Sequence, residues 1–301
     1  MPHNARPAGP SPRPPLWTWP AALAFAALLV AGLALLSEWQ MPQARRYFFG
    51  LDRLPAPAAD TVVIIGTSKT RCAVEPDRVL AARVAALGRP MRVVRIARDA
   101  ATADDLPEVF ASVARARPRL VLIESDMLIY EPNVYRSLGA APGRDWRLGI
   151  RDTAQYLLKR GAFTVAAAEN RPIPRERSCL YGPGDPDARH AALVTRSAST
   201  VVDRAPFIAF AAALHDGGTP IALMHIPRQP DALGAMPAAL EASGEAVRQA
   251  LLRDAGVIDL GPPPQLSPSD FAGVHAGPTG RDRYSAWLAA RLVQIVRSSR
   301  P

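Results

Sequence analysis

Val62-Val63-Ile64-Ile65-Gly66-Thr67-Ser68-Lys69-Thr70 is a short apolar run that ends abruptly in Gly-Thr-Ser. A run that is apolar at every position, without alternation, reads as a strand buried on both faces, as in a parallel sheet covered by helices. Such a strand delivers the Ser68 hydroxyl to the start of a helix, where backbone N–H groups and the helix dipole favour negative charge. Gly66 permits a tight exit that a side chain would crowd. The same residues equally suit a plain helix N-cap, for which Ser and Thr are favoured. Two other motifs fail at this point. A phosphate loop needs Gly, four residues, then Gly-Lys-Ser/Thr, and Ser68-Lys69-Thr70 lacks the second glycine. The elbow Gly-x-Ser-x-Gly needs glycine where Thr70 stands.

Outward from this strand the pattern alternates. Strands are expected at 61–65, 91–96, 119–124, 220–226 and 257–260, with helices near 77–87, 102–116, 206–215, 233–254 and 278–296. This alternation predicts an α/β fold: a three-layer α/β/α parallel sheet with right-handed crossovers and its site at the carboxyl ends of the strands. The rhythm breaks between 130 and 204, an insertion containing Glu169-Asn170-Arg171-Pro172 and a Pro/Gly-rich stretch from Cys179 to His190. An insertion of that length suits a lid or a partner surface.

The 301 residues are 49% apolar, ample for a core, and carry a formal charge of +9. The basic residues are almost all Arg and are scattered, with no Lys/Arg run and no aromatic–basic interleaving, so a nucleic-acid partner is not expected. Cys72 and Cys179 allow one bridge or two separate buried thiols, and neither has a companion at metal-ligand spacing. No metal and no cofactor are called for.

At the amino terminus, a Pro-rich leader (1–16) precedes twenty uncharged residues, 17–36, edged by Trp17, Trp19 and Trp39. As a helix this run would cover about 30 Å, the thickness of the hydrocarbon core, with tryptophans at the interfaces. The exit Leu36-Ser37-Glu38-Trp39 is a poor signal-peptidase site, which favours an uncleaved anchor. The expected organisation is therefore a cytoplasmic leader (1–16), a transmembrane anchor (17–39), a juxtamembrane linker (40–60) and an α/β domain (61–301).

Candidate bases come from the histidines. His225 ends the 220–226 strand at the edge where sites form. His275 follows Leu266-Ser267-Pro268-Ser269-Asp270-Phe271 in a loop ahead of the last helix, where the default reading is a solvated residue.

Taken together, these residues resemble the SGNH (GDSL-like) hydrolases, specifically the membrane-anchored branch associated with bacterial surface polysaccharides. Gly66-Thr67-Ser68 matches that family's Gly-x-Ser nucleophile. His275, Gly280 and Tyr284-Ser285 match its closing histidine and the turn into the last helix, and Ile226-Pro227-Arg228 also looks like this branch. The resemblance implies an SGNH/flavodoxin-like sheet preceded by one transmembrane helix, and a single-pass inner-membrane protein with its domain in the periplasm. It implies a serine esterase or O-acyltransferase acting on an extracytoplasmic acylated glycan or other ester, in contact with the membrane and with a membrane acyltransferase. Ser68 would be the nucleophile, His275 its base and Asp270 the orienting acid, with His225 as an alternative base. The sequence departs from the pattern where the family has an acid three residues before the histidine, here Ala272. The oxyanion glycine falls among 97–100, leaving Arg98 as a candidate by position. The asparagine falls near Glu124-Ser125-Asp126, leaving Ser125 as a substitute donor and Asp126 as a charge that would repel an oxyanion. These losses support a second reading, a catalytically degenerate domain that binds or scaffolds. A nucleotide-binding domain is a distant third, for want of a Gly-rich phosphate loop.

Overall fold

β1 (Thr61–Gly66) has a parallel neighbour on each side in the computed structural model of the protein. The structure describes residues 18–29, 31–32, 35, 50–55, 57–97, 106–128, 179, 205–227, 238–254, 256–272 and 275–298. From β1 the chain enters the short helix α1 (Ser68–Ala73), then α2 (Asp77–Ala86), β2 (Arg92–Ala97), α3 (Leu106–Ala116) and β3 (Leu120–Glu124). It continues with α4 (Ala205–Asp216), β4 (Ile221–Met224), α5 (Ala238–Asp254) and β5 (Ile258–Asp259). A small ribbon, β6 (Phe271–Ala272) against β7 (His275–Ala276), leads into α6 (Pro278–Ser298).

The five main strands lie in the order β2-β1-β3-β4-β5, every pairing parallel. This is the flavodoxin-like order. The chain winds one way from β1 to β2, then crosses back to β3, so the connections diverge between β1 and β3. That switch point opens a crevice at the carboxyl ends of the strands. The parallel α/β/α sheet expected from the sequence is therefore present.

The apolar run of β1 is buried at all six positions because both faces are covered. Val63 and Ile65 face one layer, with Val109, Phe110 and Val113 of α3 and Phe207, Phe210 and Leu214 of α4. Val62 and Ile64 face the other, with Leu80 and Val84 of α2 and Tyr284, Leu288 and Leu292 of α6. Successive strand residues point to opposite faces, so an unbroken Val/Ile run supplies both cores. Each such side chain, fully buried, contributes about 1.5–3 kcal/mol.

The two cysteines are joined. Cys72, in the last turn of α1, is disulfide-bonded to Cys179, and both are buried. This resolves the alternatives left open by the sequence and ties the helix that begins at Ser68 to a residue 107 positions away. Apart from Cys179, the insertion of residues 130–204 lies outside the described residues.

The N-terminal expectation is corrected. Of the span 17–39, residues 18–29, 31–32 and 35 are described, and all are helical. Among the described residues no helix is long and apolar enough to cross a membrane. The transmembrane anchor, the membrane-anchored family branch, the membrane as a partner and the single-pass inner-membrane location with a periplasmic domain all rested on that span, and none of them is supported.

A bridge that closes a loop of about 100 residues restricts the unfolded chain by up to about 4.7 kcal/mol. Reduction, or the paired substitution Cys72→Ala and Cys179→Ala, is expected to lower the unfolding free energy by about 2–5 kcal/mol. Denaturant melts with and without reductant measure this, and equal midpoints would show that the bridge adds nothing.

Candidate active site

Ser68 is the first residue of α1 and is half-buried at the carboxyl edge of the sheet. Its backbone is shaped by the turn that precedes it. The Thr67 hydroxyl accepts the Lys69 N–H at 3.2 Å, the N-cap bond anticipated from the Gly-Thr-Ser motif. The Thr67 N–H donates to Glu124 at 2.7 Å and the Thr70 N–H to the same carboxyl at 3.3 Å. The Thr67 and Thr70 hydroxyls also donate to Glu124, at 2.8 and 2.6 Å. N-cap and carboxyl thus give acceptors to the Thr67, Lys69 and Thr70 N–H groups at this helix start.

Gly66 makes that geometry possible. A Cβ there would overlap the Thr70 side chain and come within 2.7 Å of Glu124 Oε2. The glycine foreseen as a tight exit is the gap through which Glu124 reaches the turn.

Glu124, the last residue of β3, is fully buried. Burial, reinforced by the neighbouring Asp126, raises its pKa, while Lys69 and the hydrogen bonds from Thr67 and Thr70 act in the opposite direction without cancelling the rise. Lys69 Nζ is 2.6 Å from Asp126 Oδ2, and both side chains are largely buried. That ammonium offsets the charge of Asp126, the one expected to repel an oxyanion.

His275, in β7, arrives at Ser68 from the far end of the chain. Its Nε2 lies 3.1 Å from Ser68 Oγ. The Gly277 N–H bonds the Asp270 carbonyl at 2.7 Å, and a Cβ on Gly280 would collide with the same carbonyl. Ser285 Oγ accepts the Glu75 N–H at 2.9 Å and Arg281 donates to the Cys72 carbonyl at 2.8 Å, which fastens α6 to the end of α1.

Asp270 has a different setting from the one expected. It caps the 3-10 turn 268–270, accepting the Ser267 N–H and hydroxyl at 2.9 Å each and Arg283 at 2.8 Å. The Ser267 N–H foremost, with the Ser267 hydroxyl and Arg283, holds its carboxyl below the usual range. None of these bonds runs to His275; they shape the loop that carries it. Arg98 lies outside the described residues.

A second serine–histidine contact lies on the adjoining strands. Ser125 Oγ is 3.0 Å from His225 Nδ1, and His225 Nε2 is 3.0 Å from Asp259 Oδ1. Asp259 also accepts the Gly261 N–H at 2.8 Å and pairs with Arg248. Burial opposes ionisation of Asp259, but Gly261, His225 and Arg248 outweigh it and keep the carboxyl below the ordinary range. An ionised Asp259 accepts from Nε2–H, which assigns the neutral imidazole its lone pair at Nδ1, and Nδ1 then accepts the Ser125 proton. Ser125 is thereby turned toward His225, away from the oxyanion-donor role the sequence offered it. Tyr284 of α6, fully buried, donates to the His225 carbonyl at 3.0 Å. Burial, then Glu124 and Asp126, push its hydroxyl well above the ordinary range, so it stays a donor.

Sequence reasoning singled out Ser68, His275 and His225 but did not foresee Glu124 as the acceptor beneath the turn or Asp259 as the partner of His225. The available signal was a carboxylate at or next to the end of each of two short strand runs, 119–124 and 257–260.

No family model matches the chain, and no curated protein matches it. Among solved structures it is similar to a GDSL-like lipase from Bacteroides thetaiotaomicron VPI-5482, at 12% identity and TM-score 0.45, covering 86% of this chain and 99% of that one. It is also similar to TesA, at 15% identity and TM-score 0.39, covering 77% and 99%. Superpositions with TM-scores below 0.5 are loose, and the functional reading rests on this chain's own side chains.

Gly66→Ala is expected to cost about 1–3 kcal/mol through overpacking against Thr70 and Glu124, read from denaturant melts. An unchanged midpoint would show that the turn has slack. Glu124 supplies a pH test. Its folded-state pKa is raised, so its contribution to stability is greatest below the unfolded carboxyl value, about 4.3, and falls as pH rises through the folded value. Melting temperatures across pH 4 to 8 should decline less steeply in Glu124→Gln than in the wild-type chain, and identical slopes would remove Glu124 as the source.

Proposed function

We propose that the protein is a serine-dependent ester hydrolase or acyltransferase in which Ser68 is the nucleophile and His275 its base. The observation that supports this most directly is the 3.1 Å contact between Ser68 Oγ and His275 Nε2. A nucleophile and base within hydrogen-bond reach form the minimal unit of covalent acyl transfer. The contact lies beside the switch point of a doubly wound sheet, where ligands of such folds bind.

His275 Nε2 takes the Ser68 proton as Oγ attacks the ester carbonyl carbon. The tetrahedral intermediate collapses, the alcohol leaves with the proton from His275, and Ser68 holds the acyl group. Water completes hydrolysis; an alcohol, such as a sugar hydroxyl, completes transfer. The Ser68 N–H heads α1, where the Thr67, Lys69 and Thr70 N–H groups already have acceptors. Among the described residues the Ser68 N–H has none, which suits it to the developing oxyanion. The Asp270 carboxylate, bonded to Ser267 and Arg283, shapes the loop that carries His275.

That setting of Asp270 is also the observation favouring the second reading, a domain that binds or scaffolds without turnover. An active-site phosphonate probe separates the two. On the proposed reading the wild-type chain is labelled at Ser68, Ser68→Ala abolishes that adduct, and His275→Ala slows hydrolysis of p-nitrophenyl acetate by about 10²-fold or more. A folded wild-type chain that takes no label at Ser68 leaves the binding reading in its place.

A further inference from the structure

We propose that Ser125, His225 and Asp259 form a proton relay for the acyl acceptor, separate from the Ser68–His275 pair, so that the two half-reactions use different bases. This rests on the reading of Ser68 as the acylated residue and goes beyond it.

Three observations carry the proposal. The chain Ser125 Oγ–His225 Nδ1–Asp259 Oδ1 is continuous at 3.0 Å per step, and its carboxylate end is fixed by Gly261 and Arg248. It therefore has the polarity of a base: Asp259 holds Nε2–H, and Nδ1 draws the serine proton. Second, the relay adjoins the nucleophile. Ser68 follows Thr67 in the chain, Ser125 follows Glu124, and Thr67 and Glu124 are hydrogen-bonded at 2.7–3.0 Å. The two serines flank one contact, on strands that lie about 4.8 Å apart. Third, exposure selects the role. Both ring nitrogens of His225 are occupied, so the reactive end of the relay is Ser125 Oγ, and Ser125 keeps 6% of its surface. So little exposure leaves room for no more than a hydrogen bond from one hydroxyl or water. An ester carbonyl carbon with two substituents needs far more room, so Ser125 serves as a relay to the acceptor and Ser68 alone is the nucleophile.

The step balances. The acceptor oxygen bonds to the carbonyl carbon of acyl-Ser68 while its proton passes to Ser125 Oγ, whose own proton moves to His225 Nδ1. The bond from that carbon to Ser68 Oγ then breaks, and Ser68 Oγ takes up a proton that His275 Nε2, left neutral when the first alcohol departed, has drawn from solvent. His225 returns its proton through Ser125 to solvent. Ser125 touches the acceptor, and His225 and Asp259 act through it.

The test follows acetyl-Ser68 by quenched-flow intact-protein mass spectrometry on the full chain, with p-nitrophenyl acetate as donor and water or glycerol as acceptor. In Ser125→Ala and His225→Asn, acetyl-Ser68 is expected to form and then persist, its decay slowed about 10²-fold. Ser125→Thr, which keeps the hydroxyl, is expected to restore decay. Wild-type decay in both impaired variants overturns the relay, as does a Ser125→Thr defect equal to that of Ser125→Ala, which marks a packing role. A wild-type chain that never acetylates Ser68 fails at the earlier step and overturns the nucleophile reading, and the relay with it.

Discussion

One buried carboxyl fastens the exits of β1 and β3. Glu124 accepts two backbone N–H groups and two hydroxyls from Thr67 and Thr70, and the setting of Ser68 at the carboxyl edge of the sheet depends on it. A buried acceptor with four donors is strongly directional, because any displacement leaves several polar groups without partners in a low-dielectric setting. Its reach through the space left by Gly66 sets the path of the first turn of α1, and so the position of the Ser68 hydroxyl. The Lys69–Asp126 pair repeats the same stitch between the same two strand ends. Two cross-strand polar contacts thus join the exits of β1 and β3.

The strands were legible because they are short, mostly apolar and separated by helices, a pattern that suits a two-sided parallel sheet. Ser68 was legible because Gly-Thr-Ser interrupts such a run, and His275 because it precedes a Gly-containing turn into an amphipathic helix. The partnership of His225 with Asp259 was not legible. The two residues are 34 apart, and their contact comes from β4 and β5 lying side by side, which local spacing does not encode. The ribbon of β6 and β7 escaped for a simpler reason: two-residue strands are too short to show a period. The anchor illustrates the opposite failure. Apolar composition over 17–36 states a solvent preference, whereas crossing a bilayer also requires an unbroken helix of sufficient length, and the described residues show none.

The two serine–histidine contacts differ in electrostatic design. His275 approaches Ser68 through Nε2, and its loop is shaped by a carboxylate, Asp270, committed to its own cap and to Arg283. His225 approaches Ser125 through Nδ1 with an ionised carboxylate on its other nitrogen. Helix α6 registers both: its N-terminal turn packs under His275, and Tyr284 holds the His225 carbonyl. A shift of that helix would move both bases together.

The Ser68–His275 contact spans 207 residues of sequence. During synthesis, the serine, its turn and the carboxyl beneath it emerge long before the imidazole that would take its proton. On the proposed reading the nascent chain would therefore be chemically silent through most of its translation. Its chemistry would switch on only when the last helix docks, and fraying of that helix in the folded protein would disarm the serine while the sheet remains whole.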